Sequence, residues 1–126
     1  MILNFDGHPP MPLAGSHPAY APRPMGPAAR VRTAIDTAIA DVDWSDPAHG
    51  VLDDHGAPYF EIDLGKGDDA TLDGFIIHVR GPRGAADLIA HLCLVNGWAA
   101  LDCAQGMFLD LEQPERWGST RRAAQA

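Results

Sequence analysis

The chain has 126 residues, 46% of them hydrophobic and 21% charged, and a formal net charge of −8. That length suits one domain and is enough to bury a core without a metal or a disulfide staple. No run approaches the roughly 20 apolar residues that span a bilayer, and 17 acids against 9 bases argue against nucleic-acid binding through a basic surface.

Met1-Ile-Leu-Asn-Phe-Asp6 has neither a basic leader nor an apolar stretch of signal-peptide length, so a cytoplasmic location is expected. Its first five residues have the composition of a short strand. Residues 6–27 hold seven of the 11 prolines. Proline fixes φ and removes a backbone donor, so this stretch is expected as a Pro-rich N-terminal arm spanning 1–27, including the short strand. A polyproline ligand for an aromatic groove is its functional alternative.

A single domain is expected over 28–117. Pro27 suits a first helical position, with Gly26 as cap, and Val31, Ile35, Ala38, Ile39 and Val42 form one apolar stripe ending near Asp41. Three strand signals follow. Val51–Asp53 meets Tyr59–Leu64 across a turn at Asp54-His-Gly-Ala57, and Leu72–Arg80 comes after a turn at 65–69. In the last of these, Phe75, Ile77 and Val79 point one way, and Ile76, His78 and Arg80 the other.

A second helix, about Ala85–Asn96, carries Ala85, Leu88, Ile89, Leu92 and Val95 on one face, with Gly97 as its left-handed cap. A final hairpin joins Trp98–Asp102 to Met107–Leu111, and a polar tail over 118–126 is expected to fray. This order predicts an α+β domain, with two helices packed on one face of a mainly antiparallel sheet of about five strands.

The clearest anomaly is charge segregation. Between Asp36 and Asp73 stand eleven acids against one base, Lys66. Such a cluster is either a solvated exterior or a docking surface that steers a cationic partner. Asp41-x-Asp43-x-Ser45 begins like a calcium loop, but Asp46 replaces the sixth-position glycine and Leu52 the twelfth-position glutamate. No HExxH, Cys/His ligand spacing, GxSxG, P-loop or GxGxxG occurs, so neither metal nor cofactor is expected and no catalytic residue is assigned.

Cys93 and Cys103 form no CxxC pair and read as reduced thiols. His91 and Asp87 stand i, i+4 as a surface pair. If Tyr59–Leu64 pairs antiparallel with Leu72–Arg80, then Glu61 and Asp63 share an outer face with His78 and Arg80.

Trp44-Ser-Asp-Pro47, Phe75-x-x-His78-Val-Arg-Gly81 and Asn96-Gly-Trp98-x-x-Leu-Asp102 resemble motifs of small uncharacterised bacterial proteins, over roughly residues 17–117. That resemblance implies no reaction and no site residues. In size, acidity and want of catalytic motifs the chain is also similar to immunity proteins of bacterial toxin systems.

The expected function is therefore an acidic cytoplasmic protein-binding module, an immunity protein that occludes a basic partner such as a toxin. Its contact residues would be Asp41, Asp43, Asp46, Asp53, Asp54, Glu61, Asp63, His78 and Arg80. The alternative is an anion or small-molecule binder, or a small enzyme, built around His78 and Arg80. An exposed edge in the last hairpin would also permit pairing with a second copy.

Overall fold

The alternation of apolar and polar side chains through the middle of the chain becomes a seven-stranded sheet in the computed structural model, which describes residues 1–5, 23–54, 57–65, 67, 70–81 and 84–115. The elements run β1 (Ile2–Asn4), β2 (Gly26–Pro27), α1 (Ala28–Ala38), β3 (Asp43–Asp46), β4 (His49–Asp54) and β5 (Ala57–Asp63). They continue with β6 (Thr71–Leu72), β7 (Gly74–Gly81), α2 (Ala85–Asn96), β8 (Trp98–Asp102) and β9 (Met107–Phe108).

The main sheet has the order β3-β4-β5-β7-β1-β8-β9, and every pairing in it is antiparallel. A separate two-stranded ladder joins β2 to β6. The α+β class and the two helices stand as the sequence predicts. Most of the proline-rich arm, the turn at His55 and Gly56, and the tail from 116 lie outside the described residues.

Both helices pack against one sheet face, because only that face is apolar at every second position. Val31, Ile35 and Ile39 on one side and Ala85, Ile89, Leu92 and Cys93 on the other cover Phe60, Ile62, Phe75, Ile2 and Ala100 in one buried cluster. Phe75 and Trp98 meet edge to face, with ring centroids 5.7 Å apart.

The sheet is wider than the pattern suggests, for two reasons. β3 reads Asp-Trp-Ser-Asp, which has no strand alternation, and it forms by pairing with β4 around a register shift. β1 is only three residues long, yet it lies inside the sheet, with Ile2 opposite both Phe75 and Ala100.

The helix ends also differ from the sequence expectation in detail. Pro27 is the N-cap of α1, and Gly26 sits one residue earlier in β2 at φ 103°. The helix stops at Ala38 because Ile39 turns extended, so Val42 leaves the helical stripe and packs on the core from the connection to β3. Asp41 takes φ 69°, a left-handed turn conformation that aspartate tolerates better than most residues. In α2 the cap at Gly97 forms as expected, at φ 69°. Val95 does not face the core: it is 58% exposed, beside Leu94 at 59%, because the helix rolls Leu92 and Cys93 inward instead.

One close approach fixes the β3–β4 hairpin against α1. The Trp44 indole Nε1 donates to Asp36 Oδ1 at 2.7 Å, and the ring lies over Gly50. A Cβ on Gly50 would stand 2.8 Å from Val42 Cγ1 and 2.9 Å from two Trp44 ring carbons. Replacing glycine by alanine gains about 0.4–1 kcal/mol from the unfolded chain, but overpacking a filled site costs typically 1–3 kcal/mol. Gly50→Ala is therefore expected to lower the urea midpoint with an unchanged m-value; an equal or higher midpoint would show that the Trp44 ring has room to move.

Candidate functional site

On the face opposite the helices, the side chains of β3, β4, β5 and β7 form rows set by register. Asp43, Val51, Glu61 and His78 are successive cross-strand partners, and so are His49, Asp63 and Ile76. Asp53 stands opposite Tyr59. Asp46 closes the β3–β4 end opposite His49. The sequence-predicted pairing of Glu61 and Asp63 with His78 and Arg80 on one face is thus realised.

Arg80 is tied to that face by Glu61: its Nε and Nη2 both donate to Glu61 Oε2 at 3.2 Å. The guanidinium side chain is 58% exposed, so the pair contributes at most about 1 kcal/mol and mainly aims two side chains.

Several other acids have local duties. Asp46 Oδ1 accepts from Ala48 N, and Asp63 Oδ1 accepts from Gly65 N, each at 2.8 Å. These contacts end strands by offering the backbone a side-chain partner. Asp41 lies in the connection between α1 and β3, away from the rows. The side chain of Asp54 lies outside the described residues, as do Asp68 and Asp69. The acidic run therefore divides into turn-formers and a face carrying Asp43, Asp53, Glu61 and Asp63. Tyr59, Ile76 and Met1 add exposed apolar surface to it, at 36–38% exposure.

Beside His78 and Arg80 the sheet is interrupted. A cleft of about 420 Å³ opens between β7, at Ile77 to Arg80, and the end of β8 with its turn, at Ala100 to Ala104. Ile2, Ile89 and Leu109 form its apolar base. A second hollow of about 380 Å³ lies across Met1 and Ile76, against Leu3, Asp63 and Asp73. The cleft was not legible in the sequence, because it depends on β1 lying beside the much longer β7.

Among the described residues, no group of three or more His, Cys, Asp or Glu side chains could hold a metal ion. No described helix is long and apolar enough to cross a membrane. Compared with protein-family models, curated proteins and solved structures, the chain matches none of them.

Both described cysteines are free, Cys93 buried and Cys103 exposed at the cleft. Burial pushes the Cys93 thiol up to about 12, against a smaller downward pull from the N-terminal ammonium. The unfolded thiol ionises near 9.0 while the folded one keeps its proton, so ionisation favours the unfolded chain as pH rises past that value. Two results are expected. A disulfide reagent at mildly alkaline pH should modify Cys103 in the folded protein and Cys93 only after denaturant is added. Stability should also fall above pH 9, with a component of about 1.4 kcal/mol per pH unit that Cys93→Ala lacks. Equal slopes in the two proteins would place Cys93 in contact with water.

Proposed function

We propose that this protein is a binding module that presents the open face of its sheet to a basic protein. We further propose that it works in the cytoplasm as an immunity protein, occluding a bacterial toxin. The observation that carries this reading is the face itself. Among the described residues no element covers it; Asp53 stands opposite exposed Tyr59, and Asp43, Glu61 and Asp63 lie along the same face. An exposed aromatic on a face where acids outnumber the one arginine, Arg80, suits a basic partner. The acids steer the encounter, and the apolar groups hold the complex after water leaves.

A second reading draws on the cleft, whose size falls in the range of small-molecule sites. His78 and Arg80 would there hold an anion or polar metabolite. The engagement of Arg80 by Glu61 counts against it, because a bound anion would have to compete with that carboxylate.

The test is co-expression and co-purification with the product of the adjacent gene, followed by association kinetics with the combined variant Asp41→Asn, Asp43→Asn and Asp53→Asn. These three positions avoid the turn-forming contacts of Asp46 and Asp63. The association rate at low salt is expected to drop about tenfold or more, and the difference should close as salt screens the surface. A neighbouring product that neither binds nor loses toxicity refutes the immunity role. A rate unchanged by the triple substitution refutes the acidic face as the contact.

A further inference from the structure

The sequence holds two asparagines, Asn4 and Asn96, and only Asn96 precedes a glycine. An Asn-Gly pair carries its own chemistry. The glycine nitrogen gives its proton to hydroxide and attacks the asparagine Cγ, closing a five-membered succinimide. The Cγ–Nδ2 bond breaks, and the amide leaves as ammonia with a proton from water. A second water opens the ring to aspartate or isoaspartate. Glycine favours the attack because no Cβ crowds its nitrogen.

The fold holds the two reacting groups apart at the C-terminal end of α2. Asn96 is the last residue of the helix, and its Nδ2 donates to Leu92 O at 2.9 Å. That bond draws the carboxamide back over the preceding turn, the direction in which helical side chains already lean. Gly97 follows at φ 69°, and its N–H donates to Cys93 O. The proton of the nucleophile is therefore engaged, and the carbon it would attack is pulled away from it.

One glycine has two opposed effects here. The helix end needs a left-handed residue, which glycine supplies without a Cβ penalty. The same choice makes the preceding asparagine reactive. The cap thus creates the reactive pair and also keeps it inert.

We propose that Asn96-Gly97 is a latent self-modification site, guarded by the α2 cap and released when the last helical turn opens. Water is the only reagent consumed. Opening frees both groups together, because their partners, Leu92 O and Cys93 O, belong to one turn.

The loss of ammonia does not reverse. An aspartate at 96 has no donor for Leu92 O, and its charge opposes the C-terminal end of the helix dipole. An isoaspartate also lengthens the main chain by one methylene just before Trp98. That residue is buried, stands opposite Asn4 in β1 and meets Phe75 edge to face. A converted molecule therefore cannot close the junction of α2 and β8 as it did before.

The full chain is to be incubated in mildly alkaline buffer with and without guanidinium, and each asparagine followed by peptide mapping and mass spectrometry. In guanidinium, Asn96 is expected to convert as fast as a blocked Leu-Val-Asn-Gly-Trp peptide. The native chain should convert about tenfold or more slowly, since two hydrogen bonds must break first. Asn4, which precedes Phe5, should lag far behind in guanidinium.

Leu94→Gly loosens the last turn without removing a core contact, because Leu94 is exposed. It should raise the native rate about three- to fivefold and leave the rate in guanidinium unchanged. Asn96→Asp, the product made directly, should lower the urea midpoint and speed exchange of the Gly97 amide.

Equal conversion of Asn96 with and without guanidinium overturns the proposal, as does no conversion in guanidinium. An unchanged native rate in Leu94→Gly overturns the cap as the guard. An Asn96→Asp chain as stable as the parent, with its Gly97 amide equally protected, overturns the claim that conversion alters the junction.

Discussion

Three residues hold the two parts of the sheet together. β3, β4, β5 and β7 form one antiparallel set, β8 and β9 form another, and among the described elements only β1 pairs with both. Ile2 joins them, 2% exposed, with Phe75 and Ala100 as its cross-strand partners. An isoleucine so buried contributes about 1.5–3 kcal/mol by burial alone. The cleft opens beside it, between β7 at Ile77 to Arg80 and the end of β8 with its turn.

The helices reinforce this arrangement on one face only. α2 packs on β5 and β8, straddling the join that β1 makes, and Ile89 from its core side forms part of the base of the cleft. α1 reaches the far end of the sheet through Asp36 and the Trp44 indole, so an acid from the negatively charged stretch serves packing instead of recognition. The opposite face stays open to water, and its polar residues follow from that. Alternation requires one side of each strand to be solvent-compatible, and clustering of acids there is a further choice that folding does not demand.

The acidic run shows how one sequence feature separates under tertiary structure. As a string, the acids between Asp36 and Asp73 look alike. In the fold, Asp36 bonds an indole, Asp46 and Asp63 satisfy backbone donors at strand ends, and Glu61 receives Arg80. Asp43 and Asp53 remain on the open face. A side chain already holding a backbone N–H still carries its charge, so the field of the face includes all of them. Only those without a local duty can be exchanged without disturbing a turn.

Sequence alone settled what depends on near neighbours. The period of two in Tyr59–Leu64 and Leu72–Arg80 gave the inward set and placed Glu61 and His78 on one face. The spacing of Val31 and Ile35, and Gly97 after Asn96, gave the helices, because capping and amphipathicity act within a few residues. Tertiary structure decided the rest. Asp43–Asp46 is a strand only because β4 offers it a ladder. Val95 is exposed because α2 chose a different roll over the sheet. The position of β1 between β7 and β8 is a contact between residues some 70 to 100 positions apart, as Ile2 with Phe75 and Ala100 attests. No local period encodes such a pairing, and the cleft exists only as its consequence.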